Sequence, residues 1–151
     1  MTRTGLEIGI ERLFSASRET VFESWANAAE IATWFAAPPF IVTAVDWTPR
    51  QDSRWRVDFR SPGGSAYWEE GLFLEVRPPE KLVFSLVQMG LSEPRPETVV
   101  TVTFKADSET ETRMIFRQTG FESAEIRDGN IEGWKGCFDA LAGRLSVRKQ
   151  S

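Results

Sequence analysis

The residue types that carry most enzyme chemistry are scarce in this chain. Its 151 residues include no histidine and one cysteine, Cys137. The lack of histidine excludes Ser-His and Cys-His nucleophile pairs and histidine-containing metal sites. A single cysteine excludes an internal disulfide and an all-thiolate metal site within one chain. Neither a Gly-Lys-Ser/Thr phosphate loop nor a G-x-G-x-x-G motif occurs, so we expect no cofactor. Any catalysis would depend on carboxylates, lysine, tyrosine or bound water.

One carboxylate is a candidate for a functional group inside the fold. In residues 66–76 the alternation places Glu70 on the face shared by Trp68, Leu72 and Leu74, which predicts that Glu70 points inward. A carboxyl in an apolar cavity would have a raised pKa and would orient a ligand or act as a general acid. The alternative is that a bulge or strand end returns Glu70 to solvent and leaves Glu69, or neither glutamate, inside.

Three other side chains that could do chemistry are Gln118, Tyr67 and Cys137. Gln118 shares a strand face with Met114 and Phe116 and is predicted to point inward. Tyr67 would supply a hydroxyl, but it has the opposite parity to Trp68. Cys137 is predicted to be a small buried hydrophobe, because little in the nearby sequence would lower its pKa.

Large rings without hydroxyl groups are abundant: six Trp and eleven Phe stand against one Tyr. As wall residues of an apolar pocket they would hold a flat or lipophilic ligand. The alternative is that the rings simply fill the core. The ring residues that we predict to line such a pocket are Trp34, Phe35, Trp55, Trp68, Phe84, Phe116, Trp134 and Phe138.

The element that must receive these rings is a C-terminal helix, predicted to begin at Asn130. Between Asn130 and Leu145 the apolar residues recur every three or four positions, the spacing of one helical face. A helix of this length is stable mainly through docking of that face. Small residues, Gly133, Gly136, Ala140 and Gly143, fall on the other side. They indicate either close approach by another element or a second subunit, or a tolerated solvent face.

The preceding chain predicts an antiparallel sheet. A first strand near residues 7–14 is followed by two short helices, with Ser17 and Asn27 as their N-caps. Several segments then alternate with a period of two between turns rich in Pro and Gly. Strands joined by short turns pair antiparallel, so the fold class is α+β, in one domain spanning residues 1–151.

Composition limits the partners and the cellular location that we expect for this protein. Charged residues make up 26% of the chain and the net charge is −4, so we expect no nucleic-acid partner. No apolar run approaches the roughly 20 residues of a membrane helix, and no secretory signal is recognisable. With a single cysteine, these features predict a soluble cytoplasmic protein without a membrane partner.

Several motifs, in order, resemble one known family. They are residues 11–25 (ERLFSASRETVFESW), Trp34-Phe35 followed by Pro38, residues 78–84 (PPEKLVF), Gly120-Phe121, and residues 133–145. Together they resemble the activator of heat-shock-protein-90 ATPase homologue-like family, a branch of the START-like (SRPBCC, Bet v 1-like) superfamily. The chain departs from the family at Ser17, usually proline, and at Ala26, often threonine.

The resemblance implies a helix-grip fold, in which a curved antiparallel sheet wraps around a long C-terminal helix. It also implies an elongated cavity between sheet and helix, roofed by the two short helices. Superfamily members use this cavity for lipids, sterols, polyketides and plant hormones, and a few catalyse cyclisation or aromatisation there.

We therefore expect the protein to bind a small hydrophobic or aromatic molecule, through the rings above together with Glu70 and Gln118. One alternative is contact with a heat-shock ATPase. We do not favour that contact, because the eukaryotic co-chaperones carry an additional N-terminal domain for which this chain has no room. A second alternative is a cyclase or hydratase that uses Glu70 or Tyr67. A homodimer through the glycine face is a further possibility.

Overall fold

The helices and strands follow the predicted order. The computed structural model describes residues 6–93 and 95–150, with side chains described up to residue 146. Their elements are β1 (Glu7–Phe14), α1 (Arg18–Glu23), α2 (Ala28–Trp34), β2 (Ile41–Asp46), β3 (Arg54–Arg60), β4 (Ala66–Arg77), β5 (Lys81–Met89), β6 (Thr98–Ser108), β7 (Glu111–Thr119) and α3 (Ala124–Gln150).

Seven strands in the described chain form one sheet, with the order β1-β7-β6-β5-β4-β3-β2. Every neighbouring pair is antiparallel. Strands β2 to β7 are neighbours in chain order, while β1 closes the arrangement by pairing with β7. The sheet curves around α3, so the predicted helix-grip fold is confirmed.

Two side-chain caps start the short helices, as the sequence indicates. The Ser17 hydroxyl accepts a hydrogen bond from the Thr20 amide at 3.2 Å. The Asn27 side chain accepts one from the Glu30 amide at 2.9 Å. Each bond satisfies an amide that the first helical turn would leave without a partner. Both helices then pack their buried residues, such as Phe22 and Trp34, under the sheet.

Helix α3 begins at Ala124 rather than at Asn130, so the predicted start is wrong by about two turns. The Ser123 hydroxyl accepts a hydrogen bond from the Ile126 amide at 3.3 Å, which supports the earlier start. Gly129 and Asn130 resemble a turn in sequence. In the structure they lie inside the helix, where one glycine costs only about 1 kcal/mol.

Helix α3 is fixed to the rest of the fold by apolar packing and by two ion pairs. Phe138 and Leu141 have no exposed surface and form the centre of the contact with the sheet. The Arg12 guanidinium on β1 contacts the Asp139 carboxylate at 2.7 Å. Arg144 reaches Glu30 of α2 at 3.5 Å. In the described part of the chain, no helix has both the length and the hydropathy to span a membrane.

The core is unusually rich in aromatic contacts. Trp25, between the short helices, lies at its centre and has no exposed surface. Its ring centroid is within 6.5 Å of those of six other rings: Trp34, Phe35, Phe84, Phe104, Trp134 and Phe138. Rings in tilted and edge-to-face contact fill volume efficiently, so this part of the interior is sealed.

Candidate functional site

A cavity of about 390 Å³ lies between the N-terminal half of α3 and the inner faces of β3, β4 and β5. The segment that follows α2 forms its outer rim, where exposed residues such as Phe40 connect it to solvent. The lining residues are Phe35, Ala36, Ala37, Pro38, Phe40, Phe59, Tyr67, Glu69, Gln88, Gly129, Asn130, Glu132, Gly133, Trp134 and Cys137.

Aromatic rings form the walls of the cavity and fix one another in place. Phe35 meets Trp134 edge-on, with the ring centroids 5.5 Å apart. Phe59 stacks on Tyr67 at 4.9 Å, with 14° between the ring planes. Phe40 meets the same tyrosine edge-on at 6.2 Å. The result is a set of flat apolar surfaces that need no rearrangement to contact a ligand.

The inner wall carries one carboxyl group, that of Glu69. On β4, Glu69 is paired with the buried Val57 of β3 and with Gln88 of β5, and therefore faces inward. The Gln88 side-chain amide donates a hydrogen bond to Glu69 Oε2 at 3.3 Å. Burial raises the pKa of Glu69 to about 7, and the bond from Gln88 opposes this shift. Near neutral pH the carboxyl group therefore exists in both protonation states.

Two weaker acids lie near this carboxyl. Burial raises the pKa of the Tyr67 phenol, and the charge of Glu69 raises it further. The same two causes raise the pKa of the Cys137 thiol. Both groups are therefore neutral at physiological pH, and the thiol is not activated as a nucleophile.

Three glycines of α3 divide into two groups by what a side chain would meet. A Cβ atom at Gly129 or Gly133 would have no atom within 4 Å, because both positions border the cavity. A Cβ atom at Gly136 would lie 2.7 Å from the Ala37 Cβ atom. The close approach predicted for the glycine face therefore occurs within the chain, between α3 and the segment after α2. The homodimer remains a prediction.

Beside the cavity, a chain of buried hydrogen bonds holds Trp134. The Trp134 indole donates to Gln118 Oε1 at 2.8 Å. The Gln118 amide in turn donates to the Thr98 hydroxyl at 2.8 Å, and that hydroxyl donates to the Leu86 carbonyl at 2.9 Å. Gln118 points inward, as its parity predicts, but its side chain orients Trp134 from behind rather than lining the main cavity.

Of the ring residues predicted from the sequence to line a pocket, Phe35 and Trp134 border the cavity. Five others are core residues with at most 1% exposure and do not line it: Trp34, Trp55, Phe84, Phe116 and Phe138. Trp34 and Trp55 also donate their indole N–H groups to the backbone carbonyls of Ser24 and Ser85. These five rings therefore fill the core, which is the alternative to a role in lining the pocket.

Trp68 and Glu70 lie on the outer face of the sheet, so the predicted inward orientation is wrong. They are paired with Asp58 and Arg56 of β3, and side chains of paired residues share a face. The Trp68 indole donates to Glu70 Oε1 at 2.6 Å. The Arg56 guanidinium lies 4.4 Å above the Trp68 ring. The alternative, in which Glu69 rather than Glu70 points inward, is the arrangement in the structure.

The physical reason for the error is that β4 has apolar residues on both faces. Leu72 and Leu74 are 37% and 40% exposed, although their spacing is typical of a buried stripe. A bulge between Phe73 and Glu75 changes the parity towards the end of the strand. The inner face carries Gly71, where a Cβ atom would lie 1.9 Å from the Ser85 carbonyl oxygen.

Among the lining residues, Tyr67 and Glu69 are indicated by the sequence only as alternatives, and Gln88 and Asn130 are not indicated. A signal for two of them exists in the sequence. β3 alternates unambiguously, with Arg60 on the outer face, and the Pro-Gly-Gly turn pairs Arg60 with Ala66. Ala66 therefore lies on the outer face, and because successive residues of a strand alternate between faces, Tyr67 and Glu69 point inward. The contribution of Gln88 and Asn130 has no such local signal.

The described residues contain no group of three or more His, Cys, Asp or Glu side chains arranged to hold a metal ion. The groups that a ligand in the cavity could contact are the titratable carboxyl group of Glu69, the amide of Gln88, the phenol of Tyr67 and several aromatic faces. This set suits recognition of a mostly apolar molecule that carries one polar group.

Comparison with known proteins agrees with the fold and with the resemblance noted above. Among solved structures, a protein from Silicibacter pomeroyi is similar with a TM-score of 0.85 and 21% identity, covering 94% of this chain and 99% of that one. A Chromobacterium violaceum protein gives a TM-score of 0.83 with 20% identity, covering 91% of this chain and 94% of that one. A Nitrosomonas europaea protein gives 0.82 with 17% identity, covering 99% and 100%.

At these identities the structural neighbours show the shared fold alone. Among curated proteins, none matches the chain in sequence. The model of the family described as Activator of Hsp90 ATPase homolog 1-like protein matches residues 15–146, which include both short helices, most of the sheet and α3. The chain therefore belongs to the Activator of Hsp90 ATPase homolog 1-like family.

Proposed function

We propose that this protein binds a small hydrophobic or aromatic molecule in the cavity between α3 and the sheet. The observation that carries the proposal is a ring-walled cavity of about 390 Å³ that reaches solvent at one side. Specific ligand sites are typically concave, mostly apolar and equipped with a few placed polar groups. Members of this family commonly bind hydrophobic ligands, which supports the same assignment.

The cavity is not an accident of loose packing throughout the interior. On the other side of Trp134, the rings of Phe116 and Phe138 are completely buried, and their centroids are 5.3 Å apart. The chain thus fills one part of the space under α3 while small residues at Gly129 and Gly133 keep another part open. Such a division favours a binding role over a packing defect.

Gly133 provides a test, because it borders the cavity and a Cβ atom there would have no atom within 4 Å, so a larger side chain would take up cavity space. In Gly133→Leu we expect any ligand found by thermal shift or tryptophan fluorescence to bind at least about tenfold more weakly. The matched control is Gly143→Leu, on the same helix, exposed and equally free of neighbours. Equal affinity in native protein and in Gly133→Leu would place the ligand elsewhere.

A second candidate function is acid–base chemistry on the bound molecule. The observation in its favour is Glu69, a cavity carboxyl whose pKa is raised to about 7, near the Tyr67 phenol. Groups with a pKa near the working pH transfer protons most effectively. Ligands from the binding screen should be recovered after incubation and analysed by mass spectrometry. Conversion by the native protein and not by Glu69→Gln would support catalysis, and unchanged ligands would contradict it.

A further inference from the structure

The charged side chains that line the cavity are acidic. Of the lining residues, which all lie in the described chain, Glu69 and Glu132 are the ionisable carboxylic acids, and no lysine or arginine is among them. Glu132 lies at the exposed rim, 3.6 Å from the Lys135 ammonium group. Glu69 lies on the inner wall. Its described neighbours include no cation within ion-pair distance, in contrast to Glu7, Glu11 and Glu75 on the surface.

Glu69 also has unused capacity to accept hydrogen bonds. A carboxylate offers two oxygens with roughly four lone-pair positions. Within the described chain, Gln88 supplies one donor, to Oε2, at the long distance of 3.3 Å. Glu69 is half-buried, and a carboxylate that is short of donors and partly shielded from water gains from a cationic donor brought in by a ligand.

The walls favour the same kind of ligand. The rings of Phe35, Phe59, Tyr67 and Trp134 all line the cavity. Aromatic faces carry negative electrostatic potential and attract ammonium groups, which is how aromatic cages bind them. An anionic ligand would instead place a second negative charge next to Glu69, in a site without a lining cation to offset it.

We propose that the cavity selects an organic amine, whose ammonium group binds Glu69 while its apolar body contacts the surrounding rings. This inference rests on the proposed function, since it names the chemical class of the ligand for the same cavity. It separates this protein from a receptor for fatty acids or other carboxylates, which would need a basic residue on the inner wall.

An ammonium group bound to Glu69 also determines how the affinity for the ligand changes with pH. The groups next to Glu69 are Tyr67 on β4, Gln88 on β5 and Cys137 on α3, while Glu132 of α3 lies at the exposed rim beside Lys135. Tyr67 and Cys137 stay neutral near pH 7 because burial raises the pKa of each. Glu69 is therefore the inner group that titrates. Affinity for an amine should rise as the pH rises through about 7, with release of up to one proton.

Three ligands of nearly equal shape test this: 4-butylbenzylamine, 4-butylbenzyl alcohol and 4-butylbenzoate, each titrated by calorimetry at pH 8. We expect the amine to bind at least about tenfold more tightly than the alcohol, and the benzoate to bind most weakly. Glu69→Gln should remove the advantage of the amine and keep the affinity for the alcohol. Glu70→Gln, the next residue along β4 but on the outer face of the sheet, is the matched control and should retain that advantage.

The outcomes separate the two proposals. If the alcohol binds as tightly as the amine, or the benzoate binds best, the amine inference is overturned while binding in the cavity stands. If none of the three binds, the inference fails, and the Gly133→Leu comparison with other ligands decides the proposed function. Should Glu69→Gln not fold, titration of native protein at pH 6 and pH 8 in two buffers gives the proton release. A pH-independent amine affinity would contradict the inference.

Discussion

The two halves of α3 face the same sheet but meet it differently. Towards the C-terminus, Phe138 and Leu141 are completely buried and Leu145 is 3% exposed. Towards the N-terminus, Gly129 and Gly133 face open space, with Trp134 at the boundary. The helical backbone is continuous from Ala124 to Gln150, so the difference comes from the side chains and from what they face, not from a break in the helix. One half anchors the helix and the other half leaves a cavity.

The difference between the two halves explains how α3 can be firmly docked on the sheet and still border a cavity. Burial of large apolar side chains in the closed half contributes most of the docking energy of α3. The open half can make fewer packing contacts, because it is part of the same continuous helix and the closed half already docks that helix on the sheet. A ligand in the cavity would restore contacts that the glycines leave out.

The largest effect should come from emptying the closed half. Phe138→Ala removes a ring with no exposed surface that touches Trp25, Trp34 and Phe116. We expect the free energy of unfolding to fall by about 3–5 kcal/mol, measured by urea denaturation. Phe40→Ala, at the 37% exposed rim, should cost less than about 1 kcal/mol. Equal losses would show that the cavity rim is packed as tightly as the closed half of α3.

The pH dependence of stability should report on the open half. The pKa of Glu69 is raised from its ordinary value of 4.5 to about 7 in the folded protein. Below pH 4.5 the group is protonated in both folded and unfolded chains, so no penalty arises. As the pH rises from 4.5 to about 7, the unfolded chain loses this proton before the folded chain does, so the folded state loses up to about 3 kcal/mol of stability, less where water enters the cavity.

Urea denaturation of native protein and Glu69→Gln, at pH 5 and pH 8, measures this term. The difference in stability between the two proteins should change in favour of Glu69→Gln at pH 8. A constant difference across this range would mean that Glu69 is as well hydrated as a surface carboxyl group.

A smaller effect should arise at the boundary between the halves. Trp134→Phe keeps a ring but removes the N–H group that donates to the buried Gln118 oxygen. Leaving that oxygen without a donor should cost about 1–3 kcal/mol of unfolding free energy, read from thermal or urea denaturation. Trp68→Phe removes a similar bond to Glu70 on the half-buried outer face and should cost less than about 1 kcal/mol.

The smallest effects concern the glycines of α3. Gly133→Ala and Gly143→Ala should each raise the free energy of unfolding by up to about 1 kcal/mol, because their Cβ atoms meet nothing. Gly136→Ala should lose this gain, because its Cβ atom would lie 2.7 Å from that of Ala37. Urea denaturation of the three variants ranks them. A gain at Gly136 equal to that at Gly133 would show that the segment after α2 yields easily.

Much of the fold was predictable, because local rules specify its elements. Ser17 and Asn27 act as N-caps where the sequence places them, and the order of β2 to β7 follows from short connections, whereas the pairing of β1 with β7 does not. The start of α3 was not predictable from turn signals, because packing of the helix outweighs the small cost of Gly129. The family resemblance, carried by ordered motifs along most of the chain, is confirmed by the match over residues 15–146.

The candidate site was less predictable than the fold. The sequence singled out Phe35 and Trp134, which border the cavity, together with five rings that fill the core. It could not separate the two groups, because an apolar periodicity marks an inward face without telling what lies opposite. Glu69 was left as an alternative to Glu70, since β4 presents apolar residues to both faces and a bulge changes its parity.

By itself, the sequence determined that this is an α+β chain with a docked C-terminal helix, aromatic inward faces and no histidine chemistry. Those properties depend on residue type and on spacing along one element. Only the tertiary structure decided that Tyr67, Glu69, Gln88 and Cys137 meet around one cavity, while Trp68 and Glu70 lie outside it. That outcome depends on strand register and on the volumes of side chains from distant elements, which no single segment encodes.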